Sequence, residues 1–234
     1  MKRIFKIIGV LFFLIGLLGC TSAGGESPAG PLHYLALGDS YTIGEAVYAP
    51  NRWPTVLAGM LESEIGAPFV VEYRARTGWT TGNLLASLEA TPPERDGYDL
   101  VSLLIGVNNQ FRGYPFATYR SEVPRLIDLA LEYAGGDPDR VFVVSIPDYA
   151  YTTYGSYQRA ADRQRISREI DEYNAWMEEY CASRGIAFFG ITDITRRGID
   201  EPELVASDGL HPSSEAYRQF ADRIFAGFNT DRIR

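Results

Sequence analysis

The sequence predicts an α/β fold: a central five-stranded parallel sheet covered by helices on both faces. Two observations carry this. Short apolar runs alternate with longer segments of helical period along the whole body of the chain. The runs are apolar at successive residues rather than at every second one, as strands buried on both faces must be.

Leu32 to Leu37 opens the series as a strand. Trp53 to Ile65 has helical spacing, with Pro54 tolerated in the first turn. Phe69 to Tyr73 is a second strand, and Thr81 to Leu88 a short helix that Thr80 or Thr81 can cap. Leu100 to Ile105 is the third strand. Ala117 to Tyr133 reads as helix, which Pro124 is expected to bend or split. Val141 to Ile146 is the fourth strand, stopped by Pro147. Gln158 to Ser183 is a long amphipathic helix and Ile186 to Phe189 the fifth strand. Thr192 to Ser207 carries Gly, Pro and several charges without a period, so it reads as a long connection back over the sheet. Ser213 to Phe228 closes the chain as a helix.

The segment before the first strand has a different character. Lys2, Arg3 and Lys6 form a basic head, and Ile7 to Gly19 follows without a charge. Those residues span only about 20 Å as a helix, against about 30 Å of bilayer hydrocarbon, so 1–19 reads as a signal peptide. It ends Leu17-Leu18-Gly19-Cys20, which resembles the lipobox of bacterial lipoproteins and implies lipid on Cys20. A plain secretory signal cut after Ala23 is the alternative. Residues 20–31 are Gly, Ser, Pro and Ala with one Glu, a flexible tether reaching about 18 Å as a coil. Residues 32–234 are then one domain, held outside the cytoplasm and just off a membrane.

The chain of 234 residues is 46% hydrophobic and 22% charged, which excludes a mainly disordered protein. Its formal charge is −8, and loss of the three leader cations takes the body to −11. So acidic a body repels phosphate backbones, and nucleic acid is not an expected partner. With 2 His, 2 Cys, no CxxC and no HExxH, the sequence argues against a zinc site of His and Cys; composition leaves an all-carboxylate cation site open, but no metal or cofactor is expected. Cys181 lies in a helical pattern beside Trp176 and Met177 and reads as a buried, inert thiol.

Sites in open parallel sheets form beyond the carboxyl ends of the strands. The first strand is followed by Gly38-Asp39-Ser40-Tyr41, the second by Arg76-Thr77-Gly78-Trp79 and the third by Gly106-Val107-Asn108-Asn109. Ser207-Asp208-Gly209-Leu210-His211-Pro212 precedes the last helix. A hydroxyl, a flexible backbone amide, a side-chain amide and a carboxylate–imidazole pair are the parts acyl transfer needs. His211 can take the proton of the Ser40 hydroxyl near neutral pH. Asp208, three residues earlier, can accept from the other ring nitrogen and fix its tautomer. The oxyanion formed on an ester carbonyl needs donors, for which the N–H of Ser40, the N–H of Gly78 and the amide of Asn108 are candidates. No GxSxG occurs, so the nucleophile elbow of α/β-hydrolases is absent.

GDSY at 38–41, Gly78, GVNN at 106–109 and DGLH at 208–211, in that order, resemble the SGNH (GDSL) hydrolases over about 32–228. The resemblance implies a flavodoxin-like three-layer α/β/α sandwich and a metal-free esterase or lipase. It places the nucleophile on Ser40, the oxyanion donors on Ser40, Gly78 and Asn108, and the Asp–His pair on Asp208 and His211. The sequence departs from the family where Asn109 stands in place of the Asp of GxND, which puts the holding of that loop in question.

Each residue also has a structural reading. Ser40 and Asp208 are good helix caps, Gly78 suits an ordinary turn, and Asn108 and Asn109 are both turn formers. Asp39 is expected to brace its loop. His33, the only other histidine, falls at the far end of its strand from Ser40. Trp79, Asn109 and Tyr149 are candidate substrate contacts. Tyr151, Tyr154 and Tyr157 crowd the same segment as Tyr149, able to stack on sugar rings, line an acyl pocket or pack on one another. Glu45 and Arg52 follow the nucleophile closely enough to reach a substrate.

The expected function is hydrolysis of carboxylic esters through a Ser40–His211–Asp208 triad and an acyl-enzyme, on short-acyl (acetyl) esters of carbohydrates. A monomer whose partners are the ester and, through lipid on Cys20, a membrane fits that reading. One rival is a lysophospholipase or thioesterase acting on longer acyl chains. Another is a lipid-anchored carbohydrate-binding protein without activity. A phosphodiesterase is disfavoured by the lack of a phosphate loop or metal cluster.

Overall fold

Residues 30–156 and 160–233 are described by the computed structural model; the leader, Cys20, the tether as far as residue 29, and Tyr157 lie outside the described residues. In chain order the main elements are β1 (Leu32–Gly38), α1 (Ser40–Ile43), α2 (Trp53–Ile65), β2 (Phe69–Ala75), α3 (Thr81–Ala90) and β3 (Leu100–Leu104). They continue with α4 (Val107–Phe111), α5 (Phe116–Tyr133), β4 (Val141–Val144), α6 (Thr153–Ser156) and α7 (Ala160–Ser183). Last come β5 (Ala187–Phe189), α8 (Thr192–Thr195) and α9 (Ser214–Gly227). The five strands are all parallel, in the order β2-β1-β3-β4-β5.

That order puts a reversal of direction between β1 and β3, where parallel sheets open a crevice beyond their carboxyl ends. The register lines the ends up: Gly38 of β1 pairs with Ala75 of β2 on one side and Leu104 of β3 on the other. The segments after all three strands therefore leave the sheet along one edge.

Helices α2 and α9 cover one face of the sheet, and α3, α5 and α7 cover the other. On the first face Phe142 of β4 sits among Trp53, Phe189 and Phe228, with ring centroids 6.2, 5.6 and 5.8 Å away. On the second, Tyr119 and Tyr173 meet at 4.5 Å beside Phe116 and Trp176. Of these rings Trp53, Phe142, Tyr119 and Tyr173 are buried, each contributing about 1.5–3 kcal/mol, and the others are partly buried against them.

Helix α2 begins and ends where its sequence signals lie, with Pro54 in the first turn and Gly66 left-handed at its C-cap (φ 77°). Thr80 caps α3 in a capping box with Asn83. Of the two outcomes expected of Pro124, a split does not occur: α5 runs through it. The carbonyl that loses its partner belongs to Arg120, an exposed residue, so water can take the place of the missing N–H. The connection from Thr192 to Ser207 is also less irregular than its sequence reads. It holds α8, a 3₁₀ turn at Pro202–Leu204 and a bridge from Val205 to Pro212. Cys181 is fully buried, and burial pushes its thiol up to about 12.

Candidate active site

The turn after β1 is built around Gly38. A side chain there would overlap Thr42 and the carbonyl oxygen of Leu104, so only glycine lets α1 fold back against β3. Asp39 then caps α1, its Oδ1 accepting the N–H of Tyr41 at 3.0 Å. Trp53 fixes the far side of α1 by donating its indole N–H to the carbonyl of Tyr41, 3.1 Å away. Ser40 thus starts a short helix held from two directions, and it is 4% exposed. Asp39 is fully buried, and its Oδ2 has no partner among the described residues. Burial outweighs the backbone hydrogen bonds and raises its carboxyl to about 7.

His211 and Asp208 come from one turn before α9. Asp208 Oδ2 lies 2.6 Å from His211 Nδ1. Its Oδ1 accepts the N–H of Leu210 at 2.9 Å and of His211 at 3.0 Å. Partial burial would raise this carboxyl, but the bonds from the His211 ring and from the two N–H groups hold it below the usual range. Tyr41 meets the imidazole edge-on at 5.5 Å.

Two further segments carry the other expected oxyanion donors; Asn108 shares a cavity lining with Ser40, and Gly78 lies outside that lining. Gly78 is left-handed (φ 80°), a conformation that turns the chain sharply after β2 and favours glycine. Among the described residues, neither the N–H of Ser40 nor that of Gly78 donates to a protein acceptor. Asn108 on α4 donates one Nδ2 hydrogen to the carbonyl of Trp79 at 3.0 Å, which orients the amide and leaves the second hydrogen. Arg112 Nη2 donates to the carbonyl of Gly78 at 2.7 Å. The loop at 78–81 and helix α4 are therefore pinned to one another.

Ser40, Asn108 and His211 line one cavity of about 70 Å³ together with Tyr41, Val107, Phe111, Tyr149 and Leu210. No hydrogen bond joins Ser40 Oγ to the imidazole, but both residues line the same cavity. Tyr149 lines that wall and is buried, and burial raises its phenol to about 12. Phe111 meets Tyr149 at 5.5 Å and Tyr154 at 6.3 Å, both Phe111 and Tyr154 being exposed at the mouth. Among the described residues no three His, Cys, Asp or Glu side chains gather as a metal site.

Some expected contacts lie elsewhere. Asn109 is fully buried and is not a substrate contact: its Oδ1 accepts the N–H of Thr81 at 3.0 Å and its Nδ2 donates to Thr81 Oγ1 at 2.6 Å. The Trp79 ring packs against the core outside the cavity lining, and its backbone carbonyl is what serves the site. Glu45 accepts from Thr77, and Arg52 lies over the ring of Tyr73, 5.6 Å from its centroid. His33 sits at the start of β1, as expected. Sequence reasoning missed Phe111, Val107 and Leu210. Phe111 falls one helical turn after Asn108, which a helix over 107–111 would have revealed.

The fold and the cavity define a class, the carboxylic ester hydrolases of α/β architecture. Residues 36–219 match the GDSL-like Lipase/Acylhydrolase family, and the chain belongs to that family. An arylesterase from Vibrio mimicus is 28% identical over 217 residues, which cover 91% of this chain and 92% of that protein. Among solved structures, a lipolytic protein of the G-D-S-L family from Veillonella parvula superposes with a TM-score of 0.66 at 16% identity, covering 84% of this chain and 98% of that one. An acetyl xylan esterase from Geobacillus stearothermophilus gives a TM-score of 0.64 at 18% identity, covering 86% and 97%. These likenesses establish the fold; the sequence match establishes the family.

Proposed function

We propose that this esterase works through Ser40, His211 and Asp208 on short-acyl esters, acetyl esters of carbohydrates above all. Ser40 Oγ attacks the ester carbonyl while His211 Nε2 takes its proton. Asp208 keeps the other ring proton on Nδ1. The oxyanion sits among the N–H of Ser40, the N–H of Gly78 and the free hydrogen of Asn108 Nδ2. His211 returns the proton to the leaving alcohol, and water then cleaves the acyl-enzyme by the same route to release the acid.

The observation that carries this reading is the shared cavity of Ser40, Asn108 and His211. At about 70 Å³ it has room for roughly five waters, enough for an acetyl group and too little for a long chain within its walls. The rings of Phe111 and Tyr154 at the mouth offer flat faces to a sugar ring in the alcohol half. A second reading, longer acyl chains, draws on the same rings: Phe111 is 49% exposed and able to carry a chain that leaves the cavity.

Hydrolysis of p-nitrophenyl esters from two to sixteen carbons, in wild type and Ser40→Ala, separates the two. Ser40-dependent activity that peaks at the acetyl ester supports the proposal. A Ser40-dependent optimum at eight carbons or more assigns the enzyme to the long-chain reading. Activity on acetylated xylose that exceeds activity on ethyl acetate supports the carbohydrate half, and equal rates refute it.

We also propose that Cys20 carries lipid and that the domain works outside the cytoplasm as a monomer on its tether. Support comes from the basic head, the short apolar core and the lipobox-like end of the leader. Among the described residues no helix is long and apolar enough to cross a membrane. Cys20→Ser should move the protein from the membrane fraction to the soluble one; unchanged retention refutes the anchor.

A further inference from the structure

Asn109 stands where the related motif carries an Asp, and the surrounding hydrogen bonds give the reason. Thr81 has one hydroxyl hydrogen, and it is donated to Glu122 Oε2 on α5. Its oxygen therefore presents lone pairs to residue 109. Thr81 also presents its backbone N–H to the same side chain. Residue 109 must then accept from the N–H and donate to the hydroxyl at once. An amide does both; a carboxylate does only the first. Room for Glu122 comes from Gly82, where an added Cβ would stand 3.0 Å from Glu122 Oε1.

We propose that Glu122, which lies outside the cavity, is a positioning residue for the oxyanion donors, acting through Thr81 on Asn109. Its carboxylate selects the amide at 109. The inference rests on Gly78 and Asn108 being those donors. Asn109 neighbours Asn108 on α4, and Thr81 follows the loop that begins at Gly78. The relay Glu122–Thr81–Asn109 joins the two segments, beside the bonds from Asn108 to Trp79 and from Arg112 to Gly78. Loosening it moves two donors relative to Ser40 without touching the substrate's binding walls.

The relay also has a reversed form. With Asp at 109 and Gln at 122, the Gln amide donates to Thr81 Oγ1 and the hydroxyl donates to the new carboxylate. With Asp at 109 and Glu122 kept, two carboxylates compete for one hydrogen. Asn109→Asp should therefore lower kcat by about tenfold to a hundredfold with KM little changed, the cost of misplacing catalytic donors. Glu122→Gln alone should cost less than about tenfold, since its carbonyl still accepts from Thr81. The double variant should recover at least about fivefold over Asn109→Asp, a coupling of the size that neighbours in one network show.

The experiment measures kcat and KM on p-nitrophenyl acetate for wild type, both single variants, the double variant and Asn108→Ala. Recovery in the double variant supports the relay. A double variant as slow as the product of the singles, or Asn109→Asp at wild-type kcat, overturns it. If Asn108→Ala also keeps wild-type kcat, the oxyanion reading itself falls; if only Asn108→Ala is slow, the relay alone falls. Should Asn109→Asp not fold, Thr81→Val supplies the test: in that background Glu122→Gln should leave kcat unaltered, and any further loss overturns the relay.

Discussion

Asp208 and His211, three residues apart in one turn, divide the two oxygens of a single carboxylate between two tasks. Oδ1 accepts two backbone N–H groups, and Oδ2 lies 2.6 Å from the ring nitrogen Nδ1. The backbone bonds set the orientation of the carboxylate, and the carboxylate sets the tautomer of the ring.

That division predicts the effect of Asp208→Asn. Leu210 and His211 N–H demand an oxygen at the Oδ1 position, so the amide nitrogen takes the place of Oδ2. It then donates to Nδ1 and forces the ring proton onto Nε2, the atom that must act as base. Turnover of p-nitrophenyl acetate should fall about 10⁴-fold, as for loss of tautomer control in a triad. A loss under tenfold would show that Asp208 does not hold the tautomer.

Asp39 predicts a pH dependence of stability. Its carboxyl is raised from 3.8 to about 7 by burial, so the folded protein holds a proton that the unfolded chain has lost. The stability from this group is complete below pH 3.8, declines as pH rises towards 7 and is absent above it. The gap limits the effect to about 4 kcal/mol. An asparagine at this position would keep the acceptor for the Tyr41 N–H without a charge. Asp39→Asn should therefore raise the melting temperature at pH 8 by up to about 10 °C, and much less at pH 4. Melting curves at the two pH values check it; an equal change at both refutes the argument.

Asn108→Ala should lower kcat by about 10²–10³-fold, the cost of one oxyanion donor, with KM little affected. Asn108→Asp should be at least as slow, because its oxygens would meet both the Trp79 carbonyl and the oxyanion with lone pairs. Steady-state kinetics of the two variants decide it, and a KM effect alone would place Asn108 in ground-state binding.

The layers of the fold were legible because burial leaves a pattern. The apolar runs that begin at Leu32 and Leu100 form β1 and β3, and α2 ends where Gly66 permits a left-handed cap. Helix α1 showed only as a capping alternative for Ser40 and α4 not at all, since segments of four and five residues complete little more than one turn and carry no period. The absence of α4 from the sequence reading hid Phe111, which only a helix brings beside Asn108. Asn109 was misjudged for another reason. Its partners, Thr81 and through it Glu122, lie 28 and 13 residues away, and only the fold brings them together. Asp208 and His211, by contrast, are local, and spacing alone placed them in contact.

The central claim, that Ser40 is the nucleophile, is tested most directly by diethyl p-nitrophenyl phosphate, which phosphorylates an activated serine and releases nitrophenolate. Mass spectrometry of the digested protein should find one adduct, on the peptide holding Ser40, with loss of esterase activity in step with labelling. Ser40→Ala should take up no label and retain no turnover. Label on a different residue, or esterase activity that survives complete modification of Ser40, would contradict the account.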